Sequence, residues 1–129
     1  MVIVDDQLMF SEALRVLLER DGGISVVATP RSGPEALEIA AAEDVDVVLM
    51  DVGLDGMSGL EATRALLALR PDARVIVVSG RTPDEIEADA FAAGASACIT
   101  KGGIGEEVVA AIRQVAAACA TPPGPQPLQ

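Results

Sequence analysis

Short β-branched runs at residues 2–4, 25–28, 45–50, 75–78 and 97–100 alternate with longer stretches of helical period. That alternation limits the possible folds more than any other feature of the chain. Phe10, Leu14, Leu17 and Leu18 form one apolar stripe, Leu37, Ala40 and Ala41 begin another, and Leu60, Arg64 and Leu67 lie within a third. Residues 84–93 are acidic and Ala-rich up to Gly94, a predicted helix stop, and residues 106–119 renew the stripe through Val108, Ile112, Val115 and Cys119. Strand then helix, about five times over, calls for parallel strands joined by right-handed crossovers, with helices on both faces. The central runs are continuously apolar, as strands covered on both sides should be. The predicted class is therefore α/β, a doubly wound parallel sheet.

The 129 residues suit a single compact domain over 1–120. Beyond it, residues 121–129 read "TPPGPQPLQ", a Pro-rich tail or the start of an interdomain linker. A net charge of −11 argues against direct nucleic-acid binding by this chain, because phosphates would repel it. There is no His, and Cys98 and Cys119 are too few for a metal cluster, so both read as apolar filler. No apolar run approaches the roughly 18 residues of a membrane span. The opening "MVIVDD" lacks the basic start and apolar length of a signal peptide, so the expected location is the cytoplasm.

The run "VVLMDVGLDGMSG" at 47–59 passes straight from apolar residues into Asp51. A buried carboxylate without compensation is costly, so that strand end must need the charge or neutralise it. In open α/β sheets ligands bind outside the carboxyl ends of the strands. At those ends stand Asp5 and Asp6, then Asp51, then Ser79, then Thr100 and Lys101, the chain's one lysine against eight arginines. Three carboxylates brought together repel one another unless a cation lies between them. Mg²⁺ fits, since it takes oxygen ligands and is commonly held by one or two carboxylates plus waters and phosphate. Lys101 could help neutralise a phosphoryl group, leaving Asp51 as the nucleophile for an acyl phosphate. Plainer readings exist for single residues: Asp6 as the cap of the first helix, and Ser79–Gly80 as an ordinary turn. The joint pattern across four strand ends favours the site.

At these residues the chain resembles a bacterial response-regulator receiver domain. The resemblance covers about 2–119 and rests on "VIVDD", "VVLMDVGLDGMSGLEA", "VIVVSG" and "AFAAGASACITK" in the family's order and spacing. "DDQLMFSEALRVLLE" and "GEEVVAAIRQVAA" resemble the branch whose receivers precede a C-terminal helix-turn-helix DNA-binding domain. It implies a flavodoxin-like five-stranded sheet in the order 2-1-3-4-5 with about five helices. Asp51 would accept a phosphoryl group from a sensor histidine kinase. Asp6, Asp51 and the Gly53 backbone carbonyl would ligate Mg²⁺, with Asp5 acting through water. Ser79 would be the switch hydroxyl, and Lys101 would pair with the phosphoryl group. A homodimer is expected, with DNA reached only through a C-terminal domain outside this chain, and no membrane partner.

The chain departs from the family pattern in several places. Cys98 stands where the family usually has a Tyr or Phe that turns inward when the switch hydroxyl moves. Asp55 replaces a common Pro, and its plainer reading is a turn residue. Gly102 follows Lys101 where many receivers have Pro, so the cis-proline bond common there cannot form. The first strand begins with little lead-in, and the tail reads like a linker, which suggests a receiver cut from a longer regulator. Two other functions compete with a phosphorylation switch. A pseudo-receiver used for phosphorylation-independent dimerisation or ligand binding is favoured by Cys98 alone. A metal-dependent phosphohydrolase would need a cap or substrate pocket, for which the length leaves no room.

Overall fold

The computed structural model describes residues 1–22, 25–43, 45–54, 57–80 and 83–100, together with positions 110 and 114, both helical. Strands β1 (Val2–Val4), β2 (Val47–Asp51), β3 (Arg74–Ser79) and β4 (Ala97–Thr100) pair in parallel in that spatial order. Helices α1 (Leu8–Leu17), α2 (Gly33–Ala42), α3 (Gly59–Leu69) and α4 (Pro83–Ala92) occupy the crossovers, and a π-helical turn (Leu18–Gly22) extends α1. The predicted fifth helix at 106–119 lies outside the described residues apart from those two positions.

The second β-branched run keeps its expected place beside β1, but among the described residues it does not extend into a full strand. It makes one bridge, Val2 with Ala28, outside β1. The surrounding bonds are Val27 N to Met1 O at 2.9 Å, Ile3 N to Ala28 O at 3.1 Å, and Asp5 N to Pro30 O at 3.2 Å. In a parallel ladder the next donor would be the N–H of residue 30, and proline has none. The edge is thus cut to a bridge while its position in the anticipated order is kept.

Alternation along the strands divides the core in two. Val2, Val4, Val48, Met50, Val75 and Val77 pack with Ala36 and Ala40 of α2, Ala62 and Leu66 of α3, and Ala90 of α4. On the other face Ile3, Val47, Leu49, Ile76, Val78 and Ile99 pack with Leu14 and Leu18. The small alanines let α2 and α3 lie close together, and Arg70 Nε donates to Ala40 O at 2.6 Å to tie the end of α3 to α2. Gly94 ends α4 as anticipated. Its φ is 105°, with Gly94 N bonded to Phe91 O and Ala95 N to Ala90 O, both at 3.0 Å. That pair of bonds closes the last carbonyls of a helix around a left-handed residue, which favours glycine.

Candidate functional site

Both strands that end in acid use the carboxylate to leave the sheet. Asp5 Oδ1 accepts from Gln7 N at 2.8 Å, and Asp51 Oδ1 accepts from Gly53 N at 3.2 Å. The same local bond, from a side chain to the amide two residues on, starts the turn into α1 and the turn after β2. Each fixes one carboxylate oxygen and leaves the other oxygen's direction to the fold. The result is a cluster in which Asp5, Asp6 and Asp51 each offer an oxygen, all within 4.8 Å of one another. Asp5 is 1 % and Asp51 5 % exposed, while Asp6 is only partly buried and opens the cluster to solvent.

Asp6 does not cap the first helix. The residue before α1 is Gln7, in extended conformation and without a side-chain capping bond. The plainer reading of Asp6 therefore has no support in the geometry.

Ser79 is buried at the end of β3, beside the strand that carries Asp51. Asp51 is in register with Val78 and Ser79 with Thr100, so the hydroxyl residue sits one step further out along the same rim. Gly53 is exposed in the turn that its own N–H closes on Asp51. Lys101, Asp55, Gly102 and Cys119 lie outside the described residues. Cys98 is half-buried on β4, opposite Val77, at the margin of the core beneath α2, α3 and α4. Burial pushes its thiol pKa up, and the charge of Glu87 on α4 adds to the rise.

Sequence reasoning passed over Gly59. It is the buried first residue of α3, and its N–H donates to Val52 O at 3.1 Å. A Cβ built there would collide with the Asp51 carbonyl oxygen. The motif containing Gly59 was legible, but nothing in its spelling separates a glycine needed for close approach from one in an ordinary helix start.

Parallel strands, helices on both faces and acids gathered at two adjacent carboxyl ends define an α/β module with an acidic pocket at the rim of its sheet. The response regulator receiver domain family matches residues 1–113, and the chain belongs to it. The response regulator UvrY of Escherichia coli K12 is 37 % identical over 114 residues, covering 88 % of this chain and 52 % of that protein. GacA of Pseudomonas aeruginosa, also a response regulator, is 40 % identical over 114 residues, covering 88 % and 53 %. The chain thus spans about half the length of the curated relatives it matches. Among solved structures, a LuxR-family two-component response regulator from an Aurantimonas species superposes with a TM-score of 0.85 at 34 % identity, covering 91 % of this chain and 84 % of that one. A response regulator from Burkholderia pseudomallei, with a phosphorylated aspartic acid and a calcium ion, gives a TM-score of 0.77 at 31 % identity, covering 92 % and 71 %. Among the described residues no helix is long and apolar enough to cross a membrane.

Proposed function

We propose that this receiver domain is a phosphorylation-controlled switch in which Asp51 accepts the phosphoryl group of a sensor histidine kinase. The observation that carries the reading is the gathering of Asp5, Asp6 and Asp51 within 4.8 Å at the carboxyl ends of β1 and β2. A carboxylate oxygen of Asp51 attacks phosphorus, an O–P bond forms, the P–N bond of the phosphohistidine breaks, and its electron pair returns to the imidazole. The fold's contribution is position, because phosphoryl transfer depends chiefly on alignment and charge neutralisation.

The donor set fits Mg²⁺, being all hard oxygen, clustered and partly open to water. Asp6, Asp51 and the Gly53 carbonyl would hold it directly, with Asp5 acting through water. Once bound, the ion offsets the negative charge of the carboxylates and of the incoming phosphoryl oxygens. Lys101 would supply a further compact positive charge, and Ser79 a hydroxyl that moves onto the phosphoryl group. The switch would govern a homodimer and a DNA-binding domain outside this chain. Support for that output comes from similarity to the LuxR-family response regulator of Aurantimonas and to a DNA-binding response regulator of Staphylococcus aureus (TM-score 0.81, 25 % identity). The expected setting is the cytoplasm.

Incubation with acetyl phosphate and Mg²⁺ should add one phosphoryl group by intact mass, and Asp51→Asn should not be labelled. Equal labelling of the Asn variant would place the acceptor elsewhere. A second reading, phosphorylation-independent dimerisation, is favoured by the single observation that a half-buried thiol at 98 stands where the family's switch ring is expected.

A further inference from the structure

Helices α2 and α3 begin with nearly the same words: Ser32-Gly33-Pro34-Glu35-Ala36 and Ser58-Gly59-Leu60-Glu61-Ala62. Their local structure is the same as well. Ser32 Oγ accepts from Glu35 N at 3.3 Å, and Ser58 Oγ accepts from Glu61 N at 3.2 Å. Each serine caps its helix by satisfying an amide that has no partner within the first turn. In both helices the glycine is the first residue and is buried. Neither glycine has a positive φ, so neither is required by backbone conformation.

What the two glycines touch is different. A Cβ on Gly33 would meet Met57 Sδ at 2.8 Å, Met57 Cγ at 3.2 Å and Ala62 Cβ at 3.3 Å. The nearest of these belong to an unbranched thioether side chain that can rotate away. A Cβ on Gly59 would run into the Asp51 carbonyl oxygen and lie 2.8 Å from both Asp51 C and Val52 Cα. All three are backbone atoms of the residue that bears the carboxylate and of its neighbour, and backbone cannot step aside without carrying Asp51 with it.

That backbone is held from two sides. Val52 N donates to Val78 O at 3.0 Å, which ties it to β3, and Gly59 N donates to Val52 O at 3.1 Å, which ties it to α3. The Asp51 carboxylate is bonded to the same short segment through Gly53 N. Asp5 is anchored separately, through Pro30 O and Gln7 N. A shift of the 51–53 segment therefore changes the distance between the Asp51 carboxylate and the acids of β1.

We infer that Gly59 is a positioning residue for Asp51: its missing side chain lets the start of α3 seat directly on the Asp51–Val52 backbone and set where the carboxylate meets Asp5 and Asp6. The inference rests on the reading of Asp51 as phosphoacceptor and metal ligand, and it adds a residue that touches neither the metal nor the phosphoryl group. Mg²⁺ tolerates little departure from octahedral geometry, so a displaced carboxylate should register first as weakened metal binding.

The test compares Gly59→Ala with Gly33→Ala, using NMR-detected Mg²⁺ titration and acetyl phosphate labelling at a temperature where circular dichroism shows both folded. Gly59→Ala should bind Mg²⁺ and accept phosphate about tenfold or more less well, in keeping with the cost of small misplacements in reacting groups. Gly33→Ala should stay within about twofold of the parent on both, since its closest contacts are the flexible Met57 side chain and the Ala62 methyl at 3.3 Å needs only a small adjustment. Metal binding and labelling by Gly59→Ala as good as by Gly33→Ala would overturn the inference. The parent protein supplies an arm that needs no variant to fold. On Mg²⁺ addition the Gly59 amide resonance should shift while that of Gly33 stays in place, and an unmoved Gly59 resonance would also overturn it. Asp51→Asn separates this failure from that of the underlying reading. If the Asn variant is still labelled, the acceptor is misassigned; if it is not, while Gly59→Ala behaves like the parent, only the role of Gly59 is lost.

Discussion

The carboxyl ends of β1 and β2 and those of β3 and β4 are two halves of one rim, reached by the same succession of strand, turn and helix. The first half gathers three acids and buries two of them almost completely. The second half carries Ser79, buried, and on β4 a half-buried thiol where its family usually has a ring. One half gathers the acids, while the other presents a buried hydroxyl and, further back along β4, a small thiol. The acids and the thiol stand on different strands, joined by the strand pairing and by the shared core beneath α2, α3 and α4.

The largest effect that could break this division is on metal binding in the acid half. Asp6→Ala removes a carboxylate within 4.8 Å of the other two, and Mg²⁺ affinity should fall about tenfold or more. Asp55→Ala, at a position outside the described residues, should change it by no more than about fivefold. Metal titration of the two variants compares them directly. A greater loss for Asp55→Ala would move the ligand set away from the strand ends and undo the contrast drawn between the halves.

Much of this was legible in the sequence, for reasons that differ by element. Strands β2 and β3 were plain because a sheet covered on both faces must be apolar at every position, and the acid cluster because each strand ended on the residue type its site needs. The 25–28 run takes its expected place beside β1 but joins it through a single bridge. Its β-branched residues report the preference of the segment, whereas Pro30 decides how far the ladder runs. Gly59 was invisible for a deeper reason. Its local words are those of Gly33, and only the tertiary approach of α3 to β2 gives it another task. Local bonding rules repeat along a chain, but the neighbour that a glycine makes room for is a property of the whole fold.

The next effect concerns what the second half can transmit. Fully burying an aromatic side chain is worth about 2–3 kcal/mol, and a thiol offers much less apolar area. If the thiol keeps about half of that burial, the deficit is about 1.4 kcal/mol, which weakens the coupling between the phosphorylated state and the dimer by about tenfold. Sedimentation with and without beryllofluoride, a phosphoryl mimic, should show only a weak shift and a substantial dimer population without the mimic. Cys98→Tyr should enlarge the shift. A sharp monomer-to-dimer conversion in the parent would show that another element has taken over the role of the ring.

The smallest effect lies in the thiol itself. Burial, and secondarily the negative charge of Glu87, raise the pKa of Cys98, so the neutral thiol is the form the fold prefers. The sign follows from linkage. With the folded pKa above the unfolded one, the stabilising contribution is complete below the unfolded pKa and is lost as pH rises from there through the folded value. Only the thiolate reacts with alkylating reagents. In a Cys119→Ser background, Cys98 should therefore react with iodoacetamide more slowly than a small free thiol at pH 8, and its rate should keep climbing at pH values where the free thiol has levelled off. Glu87→Gln removes the lesser of the two causes and should raise the rate at pH 8 by about twofold, the size expected of one exposed charge. A rate equal to that of the free thiol would mean that Cys98 stands in water rather than at the margin of the core. The second half of the rim would then lack even the residual burial on which a weak coupling depends.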